Sequence, residues 1–348
     1  MISHIRSSYT QCIASLILVF GLAGCARSGV TSAAVVATGV ATTAQEVSTT
    51  QAKNGSPIDG NGSTGGIATL FKLDRAMPSS DSSSASIRIV DGKRIEGRLA
   101  ITSYYPNDKQ ILLSLLLNYQ QMPFGLDDAP LSYTRFITLV GGTTREFHVT
   151  LPPLTSGSYD LAWVASPDPT LSERDFPTVV RSTFRPTSRH TLLVDTEKIT
   201  PQSLPIATLF TRTLDFVTNA MFLTEKQDDF GPWPTVQLRP GQVAHIFLQI
   251  GLDERRPNDP SSNIVSSTLV AFMDYLQVPL TQGGPLVVNL HGKPSSAYVL
   301  PITIVAPNEP GTHFFFVQRF PYPFIPLSFT ATWDEAVGTQ TLIVDVKN

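Results

Sequence analysis

Few residues in this chain are equipped for chemistry, and they are scattered. Beyond residue 25 the histidines are His148, His190, His245, His291 and His313. No two stand at the short spacing by which one element presents two ligands to a metal. Gly-x-Ser-x-Gly, His-Glu-x-x-His, Gly-rich phosphate loops and EF-hand loops are all absent from the sequence. Acidic pairs occur at Asp127-Asp128, Asp228-Asp229 and Asp253-Glu254. Loop carboxylates of this kind could hold calcium through oxygen ligands, or flank a glycosidic bond as acid and nucleophile. Either role needs convergence that spacing does not supply, and solvated loop charge is the simpler reading. The expectation is therefore no catalytic residue, no metal and no cofactor. An envelope hydrolase acting on glycans through loop carboxylates is kept as the alternative function.

The one residue with a definite chemical expectation is Cys25. Only two cysteines exist, Cys12 and Cys25. Arg6 precedes an apolar run from Cys12 to Ala23, 12 residues long. As a helix that run would be about 18 Å, too short for a hydrocarbon core of about 30 Å and of the length of an export signal's apolar region. It ends in Leu22-Ala23-Gly24-Cys25. This tetrapeptide resembles the lipobox of bacterial lipoproteins at all four positions. The resemblance implies cleavage after residue 24 and a diacylglycerol on the Cys25 thiol, with a palmitate-type acyl chain completing the anchor. Two or more chains hold a protein stably on a membrane where one holds it marginally. Ala26 in place of aspartate implies the outer membrane in a diderm envelope, or the outer face of the plasma membrane in a monoderm one. With Cys12 removed and Cys25 acylated, no disulfide, cysteine metal site or cysteine nucleophile remains.

Composition narrows the rest. Net charge is −3 with no basic block, so the concentrated positive footprint needed for nucleic acid is missing. Residues 25–64 are rich in small and turn-forming types and too poor in core formers to offset ordering entropy. They read as a flexible tether, with a typical reach of about 35 Å. The chain then repeats itself. Ile67-Ala-Thr-Leu-Phe71 recurs as Ile206-Ala-Thr-Leu-Phe210, Asn118-Tyr-Gln-Gln-Met-Pro123 as Asp274-Tyr-Leu-Gln-Val-Pro279, and Ser156-Gly-Ser-Tyr-Asp160 as Pro310-Gly-Thr-His-Phe314. Pro167-Asp-Pro169 matches Pro321-Tyr-Pro323, and Thr191-Leu-Leu-Val-Asp195 matches Thr341-Leu-Ile-Val-Asp345. Two homologous domains are expected, at 65–200 and 204–348, after a signal peptide at 1–24. Both read as short strands rich in Val, Ile, Thr, Phe and Tyr, separated by turn residues at sandwich spacing. The fold class is all-β: two tandem antiparallel β-sandwiches. The turn into Tyr159 resembles the tyrosine corner of immunoglobulin-like domains; His313 stands at the matching place in the second copy, which puts a corner there in doubt.

One difference between the copies suggests a binding surface. Ser166-Pro-Asp-Pro-Thr170 becomes Phe320-Pro-Tyr-Pro-Phe324. Aromatics on a proline-stiffened loop offer contact area at small entropic cost. Phe320, Tyr322 and Phe324 are therefore the candidate partner site, facing an envelope protein or a glycan. The expected function is a non-enzymatic extracytoplasmic lipoprotein, displaying two sandwiches for binding, adhesion or assembly of an envelope complex.

Overall fold

The computed structural model describes residues 50–51, 66–74, 86–89, 92–93, 95–169, 185–196, 200, 204–207, 210–212, 220–227, 235–252, 264–321, 323, 337–339 and 341–348. Within these residues there is no helix. The first half contributes β1 (Thr50–Gln51), β2 (Ile67–Leu73), β3 (Ser86–Ile89), β4 (Ile95–Ser103), β5 (Lys109–Leu117), β6 (Gln120–Met122), β7 (Gly125–Leu126), β8 (Thr134–Leu139), β9 (Thr143–Leu151), β10 (Gly157–Pro167) and β11 (Arg185–Val194). The second contributes β12 (Phe210–Arg212), β13 (Met221–Thr224), β14 (Val236–Leu238), β15 (Val243–Leu252), β16 (Val265–Met273), β17 (Leu276–Val278), β18 (Val287–Gly292), β19 (Ser296–Val305), β20 (Gly311–Pro321), β21 (Val337–Gly338) and β22 (Leu342–Val346).

Each half folds into two sheets with the same strand order. One sheet runs β1-β9-β4-β2 in the first half and β12-β19-β15-β13 in the second. The other runs β3-β11-β10-β5-β6, with β8 on β5, and β14-β22-β20-β16-β17, with β18 on β16. Even the parallel pairings, β3 with β11 and β14 with β22, are repeated. The chain is all-β, built from two β-sandwiches. Thr50–Gln51, inside the stretch read as tether, add a short strand to β9.

The repeat matches fare unequally. Asn118 and Asp274 share positive φ angles of 49° and 50°, and Tyr119 and Tyr275 follow at 65° and 67°. Thr191–Asp195 and Thr341–Asp345 lie on equivalent strands but two residues out of step, Val194 facing Gly157 where Val346 faces Gly311, and the letter-for-letter pentapeptide departs altogether. Its first occurrence is β2, paired with β4. The strand equivalent to β2 in the second sandwich is β13, paired with β15. Ile206 instead bridges Asn289 on β18. Identical letters thus serve different places, because edge pairing is made by the backbone and a short extended segment can supply it wherever an edge is free.

Alternation explains most strands. β4 buries Ile95, Leu99 and Ile101 at every second residue, as a sheet with one face on the core must. β5 breaks that rule, with residues 111–116 buried on both faces. Ile111, Leu113 and Leu115 enter the first core, around Trp163. Leu112 and Leu116 enter a separate cluster shared with the second sandwich. The apolar run that reads as a buried strand is buried because protein covers both of its sides.

Candidate functional site

The shared cluster is a seam between the sandwiches, formed by the outer faces of β5 and β10 on one side and β16 and β20 on the other. Leu112, Leu116, Ala162 and Val164 meet Val270, Phe272, Phe316 and Phe320, with Tyr119 and Val287 completing it. Ring contacts lock the middle: Phe272 and Phe316 stack at 5.3 Å, and Tyr119 lies 5.2 Å from Phe320. Alternation along β20 dictates this side. Phe315 and Val317 point into the second core, so Phe316 and Phe320 face outward.

At the seam's end two glutamines exchange hydrogen bonds. Gln121 N–H donates to Gln277 Oε1 at 2.6 Å, and Gln277 N–H donates to Gln121 Oε1 at 2.9 Å. Each amide nitrogen then donates across the seam, Gln121 Nε2 to Tyr275 O at 3.0 Å and Gln277 Nε2 to Tyr119 O at 2.9 Å. Gln121 and Gln277 occupy the same position in the repeat, so the contact has the reciprocity of a two-fold dimer within one chain. Its motif keeps Tyr, Gln and Pro in both copies, the signal that could have marked it in the sequence. Gln121→Ala and Gln277→Ala should each cost about 1 kcal/mol, the net worth of the part-buried hydrogen bonds each removes. The double variant should cost clearly less than the sum, as urea denaturation of the four proteins would show.

A buried ion pair within the first sandwich reaches the same boundary. Arg189 Nε donates to Asp160 Oδ1 at 2.7 Å, Arg189 Nη2 and the Tyr119 hydroxyl also donate to Asp160, and Arg189 Nη1 reaches Pro321 O at 2.9 Å. Burial works against the Arg189 charge, but the Asp160 carboxylate outweighs it and holds the guanidinium above its usual range. From the other side Tyr275 Oη donates to Pro169 O at 3.4 Å. Both Pro-x-Pro segments therefore touch the opposite sandwich. Next to Arg189, burial pushes His190 down to about 4, with Asp160 opposing. A folded pKa below the unfolded value of about 6.5 means the unfolded chain takes up the proton first. Stability should thus fall by up to about 3 kcal/mol as pH drops from 6.5 to 4; His190→Phe should flatten that arm of the denaturation profile.

The corners differ in kind. Tyr159 Oη donates to Thr155 O at 2.8 Å, a tyrosine corner. The second sandwich keeps the geometry with histidine: His313 Nε2 bonds Glu309 O at 2.9 Å, also four residues upstream. His313 Nδ1 lies 2.6 Å from Asp274 Oδ2, and Asp274 Oδ1 accepts from Phe314 N–H. Asn118 Oδ1 makes the equivalent backbone bond to Asp160 N–H in the first sandwich. Asn118 and Tyr159 thus become Asp274 and His313 together, a paired exchange visible once the two repeat fragments are compared jointly. Both acceptors are served only when both ring nitrogens carry protons. Burial opposes that cation, yet the bonds to Asp274 and Glu309 O outweigh it and raise the pKa. The contribution is complete below about pH 6.5 and lost as pH rises through the folded pKa. His313→Tyr combined with Asp274→Asn should remove this dependence, worth about 1 kcal/mol or less for a partly exposed pair, from denaturation midpoints measured across pH 5–9.

The aromatic loop edge is redrawn by this seam. Phe320 is 1% exposed: it packs on Tyr119 between the sandwiches and offers nothing to a partner, because the parity of β20 turns it toward the other sheet. Tyr322, Phe324 and Cys25 lie outside the described residues. So do Asp228-Asp229 and Asp253-Glu254. Asp127 caps a turn, accepting from His148 N–H at 2.9 Å with Arg145 at 3.8 Å. Among the described residues no three histidine, cysteine or acidic side chains gather where a metal could sit.

No protein-family model matches the sequence, and no curated protein does either. Solved structures offer distant likenesses. The C-terminal domain of the AgI/II polypeptide BspA of Streptococcus agalactiae is 9% identical over 81% of this chain and 100% of that one, with a TM-score of 0.22. A CARDB domain from Pyrococcus furiosus, in complex with di-metal ions, is 11% identical over 38% of this chain and 89% of its own, with a TM-score of 0.22. Red sea bream transglutaminase is 8% identical with a TM-score of 0.21, and the match spans 31% of that enzyme. Scores this low carry no argument about activity.

Proposed function

We propose that this protein is a non-enzymatic lipoprotein of the bacterial envelope, held by acyl chains on Cys25, which presents its two sandwiches as one stiff binding arm. The observation that carries the arm is the seam. An apolar cluster, the reciprocal Gln121–Gln277 bonds and the Arg189–Pro321 link join the two sandwiches over matched faces. The polar groups concentrated in the seam serve packing and pairing, so binding falls to strand edges and loops, where β-sandwiches carry recognition. The partner would be an envelope protein or a glycan, and the lipid places the arm on the outer membrane of a diderm or the outer face of a monoderm plasma membrane.

Two measurements test this reading. Cys25→Ser should release the protein from membranes in fractionation and leave the leader uncut; retention as firm as that of the parent would remove the anchor. Affinity capture from envelope extract with the full-length protein should enrich a specific envelope component. Release of a product from purified cell-wall glycan would point instead to the hydrolase.

A further inference from the structure

The two sandwiches share their main strand orders, β7 on β9 and β21 on β20 being additions, yet among the described residues one of two equivalent edges is covered and the other is not. In the second sandwich β18 lies at a sheet edge beside β16, with Asn289 opposite Thr268. Its outer side is occupied by the chain entering that sandwich. Asn289 N–H donates to Pro205 O at 2.6 Å, and Ala207 N–H donates to Asn289 O at 2.8 Å. In the first sandwich β8 lies beside β5 in the same way, with Phe136 opposite Leu112. Leu112 and Thr268 are equivalent through the shared Asn118/Asp274 turn, which makes Phe136 the counterpart of Asn289.

The backbone of Phe136 points outward. Asp168 N–H donates to Gln110 O, so even-numbered residues of β5 turn their peptide groups toward β10. Odd-numbered residues then bond β8, and the Leu112–Phe136 pair exchanges no bonds. The Phe136 N–H and C=O are thus aimed away from the sheet, and among the described residues β8 pairs with β5 alone. β8 contains neither lysine nor proline; its one charged residue, Arg135, stands opposite Leu113 on the core side, away from the face that carries Phe136. Tyr133, Phe136 and Val140 are 51%, 53% and 52% exposed. A six-residue edge without a partner among the described residues, flanked by half-exposed apolar side chains, is a template for another strand.

We propose that the outer edge of β8 is a strand-addition site for an extended, uncharged peptide segment of a partner protein, pairing with Phe136 as Pro205–Ala207 pair with Asn289. Main-chain bonds would supply affinity and the Phe136 ring would select an apolar side chain beside it. This deepens the binding reading, resting on it for the kind of partner, while its test is independent of the lipid anchor.

The probe is a fluorescein-labelled peptide with the sequence of residues 203–209, Ser-Leu-Pro-Ile-Ala-Thr-Leu, titrated against the full-length protein in detergent. Saturable binding is expected, together with slowed hydrogen exchange at the Phe136 amide. Phe136→Pro should weaken binding by about tenfold, since it removes one of the two paired groups, at little cost to the fold because that N–H is not used by β5. Should that variant misfold, a peptide N-methylated at the alanine, unable to donate to Phe136 O, should weaken binding to the parent protein by a similar factor. Absence of saturation at millimolar peptide, equal binding of the parent and methylated peptides, or a Phe136 amide already protected without peptide would overturn the proposal. So would concentration-dependent dimers abolished by Phe136→Pro, which would assign the edge to a second copy. None of these results would touch the fractionation outcome at Cys25.

Discussion

Arg189→Ala should lower the unfolding free energy by about 3–5 kcal/mol, the usual cost of stranding one member of a buried ion pair. Asp160 is 3% exposed and takes Arg189 Nε, Arg189 Nη2 and the Tyr119 hydroxyl. Without the guanidinium its carboxylate loses its opposite charge in a buried site. Pro321 O loses its partner across the seam as well. Urea denaturation should show the loss, and Asp160→Asn in the same chain should recover much of it, because the stranded charge is then gone. A single-variant loss below about 1 kcal/mol, the level of a surface pair, would mean that water reaches this cluster.

Phe320→Ala should cost about 3–5 kcal/mol, as large-to-small changes at buried aromatic sites do. The residue is fully enclosed, with Tyr119 at 5.2 Å and the apolar faces of both sandwiches around it. The lost stability should appear in thermal melts and be accompanied by faster hydrogen exchange along β5 and β16, the strands that line the seam. Phe320→Leu, which keeps most of the volume, should cost far less. An unchanged melt with weakened partner binding would restore Phe320 to an exposed recognition surface.

Much of the architecture is legible because it depends on local chemistry. The β class follows from short Val-, Ile- and Thr-rich runs with turn residues between them, and the sandwich count from collinear repeats. Asn118 and Asp274 could be paired from sequence because both begin a tight turn that a small polar side chain can satisfy. The pentapeptide at 67–71 and 206–210 misled for the opposite reason: pairing at a sheet edge uses the backbone, which any extended segment supplies, and Ile206 is 67% exposed where it bridges Asn289. Phe320 misled similarly. An exposed ring and a ring closing a seam look alike in sequence, and only the parity of β20 separates them.

What the sequence determined by itself is the all-β class, the repeated module and the residues that make its turns, all set by neighbours along the chain. The tertiary structure alone decided which faces of the two modules meet, why β5 is apolar on both sides, and that Gln121 and Gln277 pair. Those outcomes depend on surfaces brought together from residues more than 100 apart, where complementarity in three dimensions selects among pairings that the linear order leaves equivalent.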